Sequence, residues 1–241
     1  MHIPAPVTLV TGSSRGLGRE IANQFQERGD KIHVVWCTDG DRGAELQEDF
    51  RGRSHRHDLT EERAAETLVE RILQIDGKLD HVVHCVGDYF SANLAETSIA
   101  DWRHLFESNL ATAIQLAGAV RAPLRESGGS LVFFCCAGVE GLRARRSSAA
   151  YAAMKTALMV FARSLALEEA SHGVRINTIS PGLIPHDEAH PDTCNEELYK
   201  AVPLGRAGTV EEVAAAALWL SSEGASYAVG VDLQVAGGWL Q

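Results

Sequence analysis

The sequence predicts a single α/β domain, with a parallel sheet covered by helices on both faces. Three observations carry this expectation. Short β-branched apolar runs alternate with longer helix-forming stretches along the whole chain. The first such run feeds a glycine-rich loop that opens into a helix. The length is 241 residues, 45% of them hydrophobic and 22% charged, and no repeat, low-complexity tract or linker divides residues 1–241.

Val7 to Thr11 reads as a buried strand. It runs into Thr11-Gly12-Ser13-Ser14-Arg15-Gly16-Leu17-Gly18, and Arg19 begins a helix that Gly29 closes. In this setting a pyrophosphate can rest on free backbone N–H groups at a helix N-terminus. Ile32 to Cys37 is the second strand. An acidic residue at its end would bond the adenosine ribose and select NAD. Here the end reads Val35-Trp36-Cys37-Thr38, with Asp39 only later, and Arg15 is placed to face a 2′-phosphate. That pattern favours NADP(H) over NAD(H).

Asp41 to Phe50 is a helix, and a short strand ends near His57. In Asp58-Leu59-Thr60 the aspartate is a candidate for the adenine amino group, or equally for capping a helix that begins near Glu61. Leu79 to Cys85 is the fourth strand, ending in His84-Cys85-Val86-Gly87, where the glycine lets backbone pass close to a cofactor. Ile99 to Glu126 reads as one long helix holding Asn109. Asparagine is a mediocre helix former, so its place there suggests a polar role. Leu131 to Cys136, Val174 to Ser180 and Val231 to Val235 are the remaining strands, with a helix over Thr209 to Ser222.

Tyr151 and Lys155 lie four residues apart in a helix-forming stretch without a breaker, so they share a face. A lysine ammonium near the phenol is expected to lower the tyrosine pKa and make it a proton donor or acceptor near neutral pH. On its own Tyr-x-x-x-Lys is common, and only the company it keeps gives it meaning.

Composition narrows the alternatives. A net charge of −10 argues against nucleic acid as the main partner. No apolar run approaches the length of a membrane span, and the first residues lack the pattern of a signal peptide. Five cysteines, at 37, 85, 135, 136 and 194, show no Cys-x-x-Cys pairing and read as reduced thiols of a cytoplasmic protein. Ten histidines include no His-Glu-x-x-His, so no metal is expected.

Taken together, Thr11-Gly12 through Gly16 and Gly18, His84-Cys85-Val86-Gly87, Asn109, Tyr151 with Lys155, Asn177, Ser180-Pro181-Gly182, Leu204-Gly205-Arg206 and Gly237-Gly238 follow a known order and spacing. On these residues the chain resembles the short-chain dehydrogenases/reductases over nearly its whole length, and more closely their β-ketoacyl carrier-protein reductase-like branch. The resemblance implies a doubly wound, seven-stranded parallel sheet in one Rossmann domain. It also implies hydride transfer between a nicotinamide cofactor and a carbonyl or alcohol. It makes Tyr151 the general acid, Lys155 the group that tunes it and holds the nicotinamide ribose, and Asn109 the anchor of a water in a proton relay. The cofactor would touch Gly12, Ser14, Arg15, Gly16, Leu17, Gly18, Cys37, Thr38, Asp58, Leu59, Gly87, Tyr151, Lys155, Pro181, Gly182 and Ile184. A substrate lid is expected over about 183–204, with His186, Asp187, Glu188 and His190 as possible substrate contacts. The helices at 99–126 and 148–172 would form the contact of a homodimer or homotetramer.

Departures from the family pattern matter too. Aligning the fifth strand puts Cys136 where the family usually has a serine that bonds the carbonyl. A thiol is a weaker donor. Losing one oriented donor at a developing alkoxide can cost ~3 kcal/mol. Arg143, Arg145 and Arg146 nearby could make Cys136 a low-pKa, redox-sensitive thiolate. They could also form a basic rim that attracts a carboxylate or an acidic carrier protein. The threonine usual after Pro-Gly is missing, since the chain runs Leu183-Ile184-Pro185-His186, and Ala236 replaces an aspartate. The expected function is NADPH-dependent reduction of a keto group, on a 3-oxoacyl thioester (CoA- or carrier-linked) or a related natural-product intermediate. The rivals are a pterin reductase-like enzyme, with Tyr89 or Phe90 stacking on the substrate, and an NADP-binding sensor with little catalysis.

Overall fold

The computed structural model describes residues 4–37, 41–185 and 196–240. Seven strands form one parallel sheet: β1 (Val7–Thr11), β2 (Lys31–Trp36), β3 (Ser54–Arg56), β4 (His81–His84), β5 (Ser130–Phe134), β6 (Arg175–Pro181) and β7 (Asp232–Val235), in the order β3-β2-β1-β4-β5-β6-β7. The helices are α1 (Gly16–Arg28), α2 (Asp41–Asp49), α3 (Ala64–Asp76), α4 (Ile99–Phe106), α5 (Thr112–Ser127), α6 (Ala149–Glu169), α7 (Glu196–Tyr199) and α8 (Val210–Leu220).

The alternation of side chains along the strands divides the core into two layers. Leu9, Val82, Leu131, Phe133 and Ile176 face α3, α5 and α6, where Leu68, Leu116 and Leu158 are buried. Val10, Val34, Val83, Val132 and Ile179 face the other way, against Ile21 and Phe25 of α1, Leu46 of α2 and Val213 of α8. Apolar residues on both faces of the strands are what a parallel sheet requires. A buried Glu169 at the end of α6 pins that layer. Arg125 donates to it through Nε (2.7 Å) and Nη2 (2.8 Å), and Arg121 Nε lies 2.6 Å away. Residues 149–172 are apolar and long enough to cross a membrane by length and composition, contrary to the sequence reading, but the inner face of α6 packs on β6.

Three differences bear on function. The helix after β1 begins at Gly16, not Arg19, so the glycine loop is itself the first turn. The helix expected over Ile99 to Glu126 is broken into α4 and α5 by a π-helical turn, Glu107–Ala111. β5 also stops at Phe134, which leaves Cys135 and Cys136 beyond its end.

The chain order reverses at β1, which pairs with β2 on one side and β4 on the other. In open α/β sheets a crevice opens at such a reversal, beyond the carboxyl ends of the strands.

Candidate active site

The glycine loop leaves β1 at this crevice. Ser13 is buried and spent internally, with its N–H on Val35 O (3.0 Å) and its hydroxyl on Val10 O (2.5 Å). Ser14 is half-buried and Arg15 exposed. Arg15, in extended conformation, precedes α1 without a side-chain cap, and the first turn holds no acidic residue. The N–H groups there remain suited to an anion. A Cβ on Gly18 would lie 2.2 Å from Gly12 O, so only glycine lets α1 sit this close to the loop.

A buried hydrogen-bond chain joins the loop to the neighbouring strand. Thr11 and His84 are paired across β1 and β4, and Thr11 Oγ1 lies 2.9 Å from His84 Nδ1. Cys85 N–H donates to Thr11 Oγ1 (3.3 Å). On its other side, His84 Nε2 lies 3.3 Å from Thr112 Oγ1, and that hydroxyl donates to Ser108 O (2.8 Å). His84 is buried, and burial, then the Lys155 charge, push its pKa down to about 3.

Ser108 belongs to the π turn, and so does Asn109, which is fully buried. The Asn109 amide donates to Asp88 O and to Ser108 Oγ, both at 3.0 Å. Its Oδ1 has no hydrogen-bond partner among the described residues. Opposite stands Gly87 at φ +153, where a Cβ would fall 2.5 Å from Asn109 Oδ1 and 3.1 Å from Lys155 Nζ. The π turn and the glycine together bring Asn109 and Lys155 to one point.

Lys155 and Tyr151 share the inner face of α6, with Nζ 5.5 Å from the phenol ring centre. The ammonium is buried and donates to Phe134 O (2.9 Å). The expected lowering of the Tyr151 pKa is corrected here. Burial, followed by the neighbouring Cys136, Cys135 and Tyr89, raises it well above the ordinary value. In this closed setting loss of solvation outweighs the nearby charge. Burial likewise lowers Lys155. Tyr89 packs edge-on against Tyr151, ring centres 5.1 Å apart.

Cys136 is half-buried, and its thiol is held up by burial despite the opposing pull of Arg145 and Lys155, which corrects the expectation of a thiolate. Arg145 turns inward and donates to Ala137 O, so only Arg143 and Arg146 remain as an exposed basic rim.

The other sequence candidates fall into place around this centre. Pro181 ends β6, and Gly182 follows with its N–H on Val235 O (3.0 Å). The side chains of Ile184 and Leu59 are buried in the core, which leaves their backbone for any cofactor contact. The Cys37 thiol bonds Asp58, whose Oδ1 accepts the Thr60 N–H (2.9 Å) and hydroxyl (2.7 Å). Beside them Arg56 lies over the Trp36 ring at 5.6 Å. Thr38, Asp39, His186, Asp187, Glu188 and His190 lie outside the described residues. Among the described residues no group of three or more His, Cys, Asp or Glu could hold a metal ion. Sequence reasoning missed the reach of His84. Its one signal was a histidine where the family pattern has asparagine.

A family model described as enoyl-(acyl carrier protein) reductase matches residues 12–240. The chain belongs to the short-chain dehydrogenase/reductase family. It is 32% identical over 244 residues to the 3-oxoacyl-[acyl-carrier-protein] reductase FabG of Escherichia coli K12, covering 99% of this chain and 98% of that protein. It is 36% identical over 243 residues to the L-fucose dehydrogenase of Mus musculus, covering 96% and 87%. A short-chain type dehydrogenase/reductase from Mycobacterium ulcerans superposes with a TM-score of 0.90 at 26% identity, over 99% of this chain and 90% of that one. As a short-chain dehydrogenase/reductase the protein is an NAD(P)-dependent oxidoreductase with one seven-stranded Rossmann-like sheet.

Proposed function

We propose that the protein is an NADPH-dependent carbonyl reductase acting on the keto group of a 3-oxoacyl thioester or a related β-keto intermediate. The observation that carries this reading is the meeting of Asn109 and Lys155 across Gly87, next to Tyr151. The surroundings fit a nicotinamide dinucleotide. An uncapped helix N-terminus suits its pyrophosphate, Gly87 leaves room beside Asn109, and the unpartnered Asn109 Oδ1 needs a donor such as water. When bound, this group supplies the hydride.

The chain's own residues manage the proton. Tyr151 is a neutral phenol at neutral pH, the form a general acid needs to protonate the carbonyl oxygen. Lys155 and a water held on Asn109 Oδ1 return a proton to the phenol oxygen. The Cys136 thiol, kept protonated by burial, is the weak hydrogen-bond donor toward the same oxygen. Arg15 on the loop and Arg56 at the end of β3 support NADPH, because both bring positive charge to the adenosine side. Phe106, Ile114, Val160 and Leu167, exposed on α4, α5 and α6, support a homodimer or homotetramer built on those helices. Leu142 stands 78% exposed beside Arg143 and Arg146, which supports recognition of a carrier-linked acyl chain. The cytoplasm, where NADPH and such thioesters occur together, is the compartment we infer.

The L-fucose dehydrogenase relative favours a second reading, oxidation of a sugar hydroxyl with the same proton relay run in reverse. One experiment separates the two. NADPH and NADH oxidation are followed against a 3-oxoacyl thioester, a diketone, a quinone and a dihydropterin, and NADP+ and NAD+ reduction against L-fucose. Turnover of the thioester with NADPH supports the first reading. Turnover of fucose alone replaces it with the second. Cofactor binding without any turnover sinks both.

A further inference from the structure

The hydrogen bonds around His84 run in one direction only. Thr112 has a single hydroxyl proton, and it goes to Ser108 O (2.8 Å). The 3.3 Å contact between Thr112 Oγ1 and His84 Nε2 therefore has the histidine as donor. A neutral imidazole that donates through Nε2 must accept through Nδ1. Thr11 thus donates its hydroxyl proton to Nδ1 across 2.9 Å, which frees its oxygen to accept the Cys85 N–H. The order is Cys85 N–H to Thr11, Thr11 to His84, His84 to Thr112, and Thr112 to Ser108 O. Among the described residues, reversing the chain would leave the Thr11 hydroxyl proton without an acceptor.

The two ends of this chain lie in different parts of the site. Thr11 precedes Gly12 of the cofactor loop. Ser108 precedes Asn109, and its hydroxyl accepts from the Asn109 amide (3.0 Å). A π turn interrupts the regular backbone ladder of a helix, and the Thr112 hydroxyl supplies Ser108 O with a bond inside that turn. His84 holds the hydroxyl oriented. The ring is 2% exposed and meets Phe133 edge-on with centres 6.0 Å apart, so it cannot swing away.

We infer that His84 is a positioning residue which locks the π turn, and with it Asn109, to the cofactor loop through one fixed tautomer. The inference rests on the proposed reductase reading for its kinetic part only. Cutting one arm at a time distinguishes it from plain core stability. Thr112→Val removes only the arm to the π turn. The hydroxyl's two bonds, from His84 and to Ser108 O, are lost together, and kcat is expected to fall about tenfold, while NADPH affinity stays within about twofold. Thr11→Val cuts the loop arm, together with the bond from Cys85 N–H, and is expected to do the opposite. His84→Leu should show both losses, and His84→Gln, which keeps one acceptor and one donor, should recover part of each. Nitrogen-15 NMR of the wild-type imidazole, from about pH 8 to about pH 5, is expected to show the neutral Nε2–H form throughout.

An Nδ1–H tautomer would overturn the inference. So would Thr112→Val with wild-type kcat, or a His84→Leu protein that is less stable but unchanged in kcat and NADPH affinity. If the wild type turns over no carbonyl, the reductase reading fails by itself. The tautomer, and a cofactor affinity lowered by Thr11→Val but not by Thr112→Val, still judge the role of His84.

Discussion

Replacing Gly87 with alanine puts a methyl carbon where the proton relay is assembled. Its Cβ would lie 2.5 Å from Asn109 Oδ1, 3.1 Å from Asn109 Cγ and 3.1 Å from Lys155 Nζ. Cβ contacts below 3.0 Å essentially never occur, so the carboxamide must retreat by at least about half an ångström. It cannot do so freely, because its amide is held by Asp88 O and Ser108 Oγ, each at 3.0 Å. A misplacement approaching 1 Å in a catalytic constellation costs about 10²-fold in rate. The backbone adds its own strain, since φ of +153 lies where only glycine is comfortable, at ~1–3 kcal/mol. For a chain of this length each 1 kcal/mol lowers Tm by roughly 2–4 °C, so the variant should stay folded at room temperature. The expected outcome is kcat down about 10²-fold with a modest fall in Tm. NADPH affinity, from fluorescence titration, should drop much less than kcat. A folded Gly87→Ala enzyme with kcat within about threefold of wild type would refute the idea that Asn109 and Lys155 act together at this point.

Other perturbations test separate parts of the account. Cys136→Ser restores a stronger donor near the carbonyl oxygen and is expected to raise kcat up to about tenfold; an unchanged rate would mean that residue 136 does not touch the substrate. Acid should destabilise the fold through His55, stacked on His33 with Nε2 2.8 Å from His33 Nδ1. Burial lowers His55 to about 4, so the unfolded state binds the extra proton; stability contributed by the neutral ring is present above pH ~6.5 and lost as pH falls toward 4. Urea unfolding at about pH 7.5, 6 and 5 should show it, and a flat profile would argue against it. Leu167→Glu puts a charge on an apolar helix face that is 80% exposed at that residue, and light scattering should find smaller particles than wild type if α6 lies in a subunit contact.

Much of the fold was legible because its signals are local. The β-branched runs, Gly29 ending α1 and the glycine loop each announce themselves within a few residues. The strand ends were less clear. β5 stops before Cys135 and Cys136, which remain as apolar as the strand itself. The break in the 99–126 helix was hidden because a single π turn leaves the apolar pattern intact on both sides, and only the mid-helix Asn109 hinted at it. At the candidate site, Tyr151, Lys155 and Asn109 were found from residue type and spacing. The sign of the Tyr151 shift was not, because it depends on burial and then on neighbours such as Cys136 and Tyr89, 15 and 62 positions away along the chain. Arg145 illustrates the same limit. Its composition reads as a solvated rim, yet its guanidinium turns in to a backbone carbonyl.

The π turn at Glu107–Ala111 also constrains how this protein can change over time. Removing one residue there would let α4 and α5 merge into a regular helix, which by itself is a more favourable backbone. Each residue of a helix advances it by about 100°. The wider π turn absorbs one residue's worth of that rotation, so a deletion inside it leaves Leu116, Val120 and Leu124 in the core they fill, whereas a deletion early in α5 would swing them out of it. The irregularity can therefore be lost by one deletion without repacking the helix, but the placement of Asn109 and the bond from Thr112 to Ser108 O go with it. A scan of single-residue deletions should find that this stretch, with its exposed Glu107, keeps the fold better than the middle of α5 does, while activity is lost with the position of Asn109.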